Sequence, residues 1–285
     1  MLLASVDYYR PGTLAEATNA LGGSEDARAL AGGQSLVSLL KLRATQVDLL
    51  VDISRLEELR SVTENEDGSV TIGSCVTYDE LEHHDQLGST HPSIGKVAGG
   101  TVDQQIRNRG TIGGNLCHND PINNFPVLAV ALDATMHAVS TTAQRDIPAT
   151  GFFTAAFSNA LEPEELLTGI TFPALEEGFR VGWSEIEIGE AASRAVAVVR
   201  TENGSIAEAR MTLGCLPVPT LRPDTAAQLA SVGSSESEIA EAVAAVADGI
   251  DFFPDDADAS SDYRRAMAPV VAKRAVLDAL GDNDG

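Results

Sequence analysis

"LAGGQSLVSLLKLR", residues 30–43, sets a Gly-Gly turn against a run with apolar residues at helical spacing, directly after "ARAL" (27–30), which reads as a short strand. A strand, a glycine turn and a helix beginning at Ser35 together make a site for an anion. The helix start offers unpaired amides and the positive end of its dipole, and glycine lets the backbone come close without a Cβ. Lys41 lies roughly 9 Å further along the helix axis, so it points away from the anion and backbone amides carry most of the neutralisation. Gln34 and Ser35 add hydrogen-bonding groups. The device recurs in "RNRGTIGGNLCHNDP" (107–121), where Gly113-Gly114 stands among Thr111, Asn115 and Asp120. Two such turns suit a long dinucleotide that spans both, with Thr111, Asn115 and Asp120 addressing hydroxyls and ring atoms. Either turn alone reads equally as a plain turn that binds nothing, because glycine is the default residue of tight turns. A Rossmann site is the rival: Asp52 ends a strand where a ribose-binding acid would sit. That fingerprint needs three spaced glycines, and this stretch has only Gly32-Gly33.

The 285 residues are long for one domain and comfortable for two, and 44% hydrophobic residues suffice for a sizeable core. No apolar run reaches membrane-spanning length, and "MLLASVDYYRPG" lacks the basic segment of a signal peptide. Cys75, Cys117 and Cys215 lie far apart and are odd in number, so no disulfide framework is expected and a cytoplasmic location is the economical reading. Nineteen basic against 42 acidic residues leave a net charge of −23, scattered along the chain rather than massed in one tail. This suggests a halophilic surface, adapted to salt that screens its self-repulsion, and excludes a basic nucleic-acid footprint.

Thr13-Leu-Ala-Glu16 and Thr77-Tyr-Asp-Glu80 read as helix caps. "VDLLVDI" (47–53) reads as a buried strand, "LRSVTENEDGSVTIG" (59–73) as a hairpin turned at Asp67-Gly68, "FPVLAVALDATMHAVS" (125–140) as a helix leading into a strand, and "EELLTGITFP" (164–173) as a strand. "ALEEG" (174–178) looks like a boundary. Beyond it come strands near 179–188 and 194–200, a hairpin hinged on Asn203-Gly204, and an Ala-rich helical remainder ending in "DYRRAMAPVVAKRAVLDAL" (262–280). Strands followed by helices suggest an α+β tail domain.

With these stretches in order, the chain resembles the FAD-binding medium subunit of molybdenum hydroxylases, the carbon monoxide dehydrogenase and xanthine dehydrogenase group. "YYRPGTLAEA", "DARALAGGQSLVSLLKLR", "LVDISRLEELR", "IRNRGTIGGNLCHNDP", "EELLTGITFP" and "SSDYRRAMAPVVAKRAV" carry the likeness over nearly the whole length. The resemblance implies an α+β fold: a two-part FAD-binding region of vanillyl-alcohol-oxidase type over 1–175, then a C-terminal domain over 176–285 with a three-stranded sheet and helices. It implies that the flavin pyrophosphate lies against Ala31, Gly32, Gly33, Gln34, Ser35 and Leu36. It further implies that Thr111, Ile112, Gly113, Gly114 and Asn115 contact the cofactor, with Asp120, Asn124 and Leu167 lining its pocket. Partners implied are a 2Fe-2S small subunit and a molybdopterin large subunit, in a dimer of heterotrimers, with electrons passing through FAD to an external acceptor. Three dispersed cysteines agree in one respect: they cannot ligate a cluster that takes four thiolates, so any cluster lies on another polypeptide.

The chain departs from the family pattern at two places. Asn124 stands where an acid is usual. In "WSEIEIGEAASRAVAVV" (183–199), Glu185 and Glu187 replace a basic run, and Ala191 replaces an aromatic that packs beside the flavin ring. These departures motivate an alternative, a structural or assembly subunit that holds flavin weakly; a free-standing flavin oxidase is a third reading. No residue is assigned as a general acid or base. His83-His84-Asp85 reads as a solvated helix end, since adjacent histidines do not face one another, and Cys117-His118 with Asp120 as part of the second turn rather than a metal site. Trp183 and Tyr263 read as core rather than as anchors for a partner surface, and all three thiols as packing.

Overall fold

The structure, a computed structural model, describes residues 4–100, 103–230 and 232–281. The chain divides into two compact units. One comprises Met1–His118, Ala134–Thr154 and Ser158–Ala174; the other comprises Asn119–Asp133, Ala155–Phe157 and Leu175–Gly285.

In the first unit the strand Leu49–Asp52 pairs in parallel with Asp7–Tyr9 on one side and Ala27–Leu30 on the other. Parallel neighbours need crossover connections, which the helices Leu14–Gly22 and Leu36–Leu42 supply. The Thr13 hydroxyl accepts from the Glu16 amide, but the Glu16 carboxylate turns to the Gly12 amide at 2.7 Å instead of closing the box on Thr13. At Thr77 the capping box is complete, both halves being present with Glu80. An antiparallel sheet follows, in the order Val62–Glu64, Val70–Gly73, Leu166–Phe172, Thr135–Val139, Gln144–Pro148. Its first hairpin turns where expected, with Gly68 at φ +80° and the Asp67 carboxylate accepting the Ser69 amide. Ala17, Leu21, Val51, Leu59 and Leu166 share one buried cluster of this unit.

The stretch 125–140 is a helix, Phe125–Ala131, then a strand, Thr135–Val139, with Asp133 at φ +55° between them. The helix belongs to the second unit and the strand to the first.

The second unit is built on three long antiparallel strands, Phe179–Ile188, Glu190–Glu202 and Ser205–Gly214, to which Thr220–Leu221 adds a short fourth. Asn203 and Gly204 both have left-handed φ, 52° and 81°, the pattern that matches a two-residue hairpin to the twist of its strands. Residues 191–199 are buried without a break. Successive side chains point to opposite faces, so this strand is covered on both. The helix Ser261–Leu280 supplies one layer through a stripe of Ala268, Ala272, Ala275 and Ala279 at helical spacing. It lies so close that a Cβ on Gly182 would sit 1.9 Å from the Ala275 carbonyl oxygen. The helix Phe125–Ala131 packs on the same strands, with Val127 against Gly214. Among the described residues no helix is long and apolar enough to cross a membrane.

Candidate functional site

The two glycine turns meet within the first unit. A Cβ on Gly32 would lie 1.9 Å from the Arg109 carbonyl oxygen and 3.1 Å from the Gly110 Cα. Glycine at 32 is therefore the condition for the turns to touch. Gly33 has φ +73°, a conformation that L side chains rarely adopt, and it turns the chain from the strand Ala27–Leu30 into the helix Leu36–Leu42. The Gln34 side chain ties the turn by donating to the Gly32 carbonyl at 3.0 Å.

The turns differ in what they leave open. Among the described residues no acceptor is found for the amides of Gly33, Gln34, Ser35 and Leu36; the first helical bond is Val37 N–H to the Gly33 carbonyl at 3.2 Å. Ala31 to Leu36 are all at least partly exposed. Four consecutive amides without an acceptor in a partly exposed glycine turn make a cradle suited to an anion. In the second turn the donors are consumed internally. The Ile112 amide goes to the Val76 carbonyl at 3.0 Å, Gly113 to Ser74 at 2.9 Å, Gly114 to the Thr111 hydroxyl at 3.1 Å, and Asn115 to the Thr111 carbonyl at 3.0 Å. Thr111, Ile112, Gly113 and Asn115 are buried, and only Gly114 among the five is exposed. The Asn115 side chain hydrogen-bonds the Tyr78 phenol, whose burial pushes its pKa up. The sequence expectation of two donor-rich turns thus resolves into one donor cradle and one wall, whose Gly113 is pressed against Ser74 with 2.5 Å between its absent Cβ and that residue's Cβ.

Ser74 also links the wall to the central strand of the five-stranded sheet, Leu166–Phe172, its amide donating to the Thr168 carbonyl at 3.0 Å. The neighbouring Leu167 is 2% exposed and precedes an irregularity where the pairing with Thr135–Val139 shifts register. Asp120 and Asn124 lie in the second unit. There the Asp120 carboxylate accepts the Ile122 amide at 3.2 Å and its carbonyl accepts the Asn123 amide at 2.8 Å, a tight turn that delivers the buried Asn124 to the start of the helix Phe125–Ala131.

Other sequence candidates fall outside these turns. Asp52 serves the N-terminal strand: its carboxylate accepts from the Tyr8 hydroxyl, from the Arg10 guanidinium at 2.9 Å, and from the Ser54 amide and hydroxyl at 3.0 and 2.6 Å. Burial pushes this carboxyl up, but the donors together outweigh it and bring it down to about 2. Asp79, Glu82 and His83 bring their ligand atoms within 4.8 Å of one another. Those atoms are already engaged, His83 with the Asp79 carbonyl, Asp79 with Gln104, and Glu82 with Arg107. Burial pushes the Cys75 and Cys117 thiols up to about 12, far from the thiolate that a metal or a nucleophile requires.

Sequence reasoning missed Arg194. This side chain is 5% exposed and forks onto Glu185 at 2.8 Å; its ring neighbour is Trp183, 5.1 Å from the guanidinium carbon. Glu185, expected from the sequence to stand as a reversal of charge, is therefore half of an internal ion pair. Glu187 is exposed. Ala191 is buried, with its carbonyl held by Arg264 at 3.2 Å.

Comparisons with known proteins identify the family. The family described as FAD binding domain in molybdopterin dehydrogenase matches residues 4–175, and that described as CO dehydrogenase flavoprotein C-terminal domain matches residues 189–279. The chain is 32% identical over 282 residues to the carbon monoxide dehydrogenase medium chain of Hydrogenophaga pseudoflava, covering 97% of each. It is 30% identical to the xanthine dehydrogenase FAD-binding subunit of Escherichia coli O157:H7, over 83% of this chain and 82% of that one. Among solved structures, carbon monoxide dehydrogenase from Hydrogenophaga pseudoflava superposes with a TM-score of 0.93 at 30% identity, over 99% of both chains. Quinoline 2-oxidoreductase from Pseudomonas putida 86 gives 0.94 at 28% identity, again over 99% of both. Fold and sequence define an FAD-binding flavoprotein whose C-terminal domain is of the carbon monoxide dehydrogenase type. The chain belongs to the family of FAD-carrying medium subunits of molybdenum hydroxylases, and it works as an oxidoreductase subunit of a complex.

Proposed function

We propose that the cradle Ala31–Leu36 holds the FAD pyrophosphate, and that the wall Thr111–Asn115, with Leu167, Asp120 and Asn124, completes the cofactor's contacts. The observation that carries this reading is the run of four amides with no acceptor among the described residues, beside a glycine that admits no Cβ. Such a cradle fits a diphosphate: the donors are backbone amides, and Gly32 and Gly33 bring no Cβ of their own between backbone and phosphate. The Thr111 hydroxyl, already accepting from Gly114, retains its own proton to donate. Bound FAD supplies two-electron storage between the iron–sulfur clusters of a partner subunit and an external acceptor. This chain's residues bind and orient, and none is required to move a proton.

The domains are proposed to divide at 175/176, and the assembly to be a dimer of heterotrimers with a 2Fe-2S and a molybdopterin subunit. A cytoplasm of high salt is proposed from the net charge of −23. The test is a visible spectrum of the purified chain after FAD is added and the excess removed, followed by dithionite. A retained flavin spectrum that bleaches supports the reading; a folded chain that keeps no flavin sinks it and favours the assembly role that Ala191 motivated.

A further inference from the structure

We propose that Arg194 is a positioning residue for the flavin pocket, acting through the turn Asp120–Asn124. The inference rests on the reading that Asp120 and Asn124 contact FAD, and all the residues involved belong to the second unit.

The guanidinium of Arg194 makes four directed hydrogen bonds. Nε and Nη2 donate to one oxygen of Glu185 at 3.0 and 2.8 Å, while Nη1 donates to the carbonyls of both Ile122 and Asn123 at 2.8 Å. The other face of the turn is closed by Asp120, which takes the amides of Ile122 and Asn123. Three successive peptide units between the two candidate flavin residues are thus held: 121–122 through its amide by Asp120, 122–123 from both sides, and 123–124 through its carbonyl by Arg194. A guanidinium 5% exposed is costly to desolvate, and well-packed apolar side chains would stabilise the fold at least as well. What an apolar residue cannot do is fix two adjacent carbonyls at once. The planar fork can, and Glu185 together with the Trp183 ring fixes the fork. The acid that departs from the family pattern at 185 is thereby given a role: it aims Arg194.

The test compares FAD titrations of the full chain carrying Arg194→Met, Asn124→Ala, Asp120→Ala, and the Arg194→Met/Asn124→Ala pair, each checked for its unfolding midpoint without FAD. Arg194→Met is expected to bind FAD roughly tenfold more weakly and to alter the visible circular dichroism of the bound flavin. The double variant is expected to bind no worse than Arg194→Met alone, since both changes remove the same placed amide. A purely structural role would leave the two losses multiplicative. Arg194→Lys serves if the methionine variant does not fold, because one ammonium cannot span both carbonyls and Glu185; it too should lose affinity. Wild-type affinity in Arg194→Met or Arg194→Lys, or multiplicative losses in the pair, overturns the proposal while Asn124→Ala and Asp120→Ala still weaken binding. If those two single variants bind FAD like the parent, the proposal falls together with the placement of the flavin at this turn.

Discussion

Gly32 and Gly33 are adjacent and do different work. A methyl group at 32 would meet backbone, the Arg109 carbonyl oxygen at 1.9 Å, and backbone cannot swing aside. Gly32→Ala is expected to destabilise the chain by about 2–3 kcal/mol and to abolish FAD retention, because the turns can no longer touch. Gly33→Ala meets only the tips of Val37 and Leu30 at 3.1 and 3.2 Å, but must hold φ +73°; a cost of about 1–2 kcal/mol is expected, with FAD still bound. Urea midpoints and flavin spectra of the two variants check the contrast, and equal behaviour would remove the close-approach argument. Asp52 gives a pH dependence. Its carboxyl stands at about 2 against an ordinary 3.8, so the folded state favours the charged form. The stabilisation is present above about pH 4 and is lost as pH falls through 2, on the order of 1–2 kcal/mol after allowance for the half-exposed Arg10. Asp52→Asn should be less stable than the parent at pH 7, with the gap closing below pH ~3. A gap that stays constant between those values would show that Asp52 contributes by packing alone. Phe157, at φ +58° and 61% exposed, is a bulky residue in a conformation that costs about 1–2 kcal/mol. Phe157→Gly is expected to raise the melting temperature by a few degrees, as differential scanning fluorimetry would read.

At the scale of elements, much of the fold is legible in local chemistry. Asp67-Gly68 and Asn203-Gly204 turn their hairpins, Thr77 closes its capping box, and the glycine turn at 32–33 separates strand from helix, because each is decided within a few residues. Arg194 shows what is not legible. The hairpin of Phe179–Ile188 with Glu190–Glu202 starts by pairing Ile188 with Glu190 and Glu187 with Ala191, a count that would set Glu185 opposite Ser193. A register shift next to Ile186 moves the partner on by one, and Glu185 faces Arg194 instead. An irregularity of one residue thus exchanges an unpaired acid for an ion pair, and no pattern in the residues announces it. The second glycine turn is opaque for a related reason. Its amides look available in sequence, but Val76 and Ser74 reach them from distant positions. Close helix–strand approach is likewise tertiary: nothing local to Gly182 shows that Ala275 and Ala279 lie against it. Gly182→Ala would drive a methyl group into helix backbone, and a loss of about 2–3 kcal/mol in the unfolding of the second unit is expected. An unchanged urea midpoint would mean that the helix Ser261–Leu280 can shift away without cost.

For the whole molecule, charge dominates. The balance of 19 basic against 42 acidic residues leaves acids far in excess of available cations, and several arginines are already committed inside. Arg194 and Arg264 are 4% and 2% exposed and bind Glu185 and Asp256 with backbone carbonyls, so they do little to offset the surface. Two opposing salt effects follow. Surface pairs such as Lys273–Glu236 weaken as salt rises, but solvent already screens them and each contributes little. Repulsion among the unpaired acids is long-ranged and summed over many pairs. Shortening the screening length from about 10 Å at 0.1 M to about 3 Å at 1 M removes most of it. The second effect should win, and the melting temperature is expected to rise by about 5 °C or more between 0.1 and 2 M KCl. A series in KCl with two ion pairs removed separately, Lys273–Glu236 and Arg145–Glu165 (2.7 Å), distinguishes the two contributions. A melting temperature that is flat or falls with salt would show that the acids are spaced widely enough not to repel, and would remove the argument for a high-salt setting.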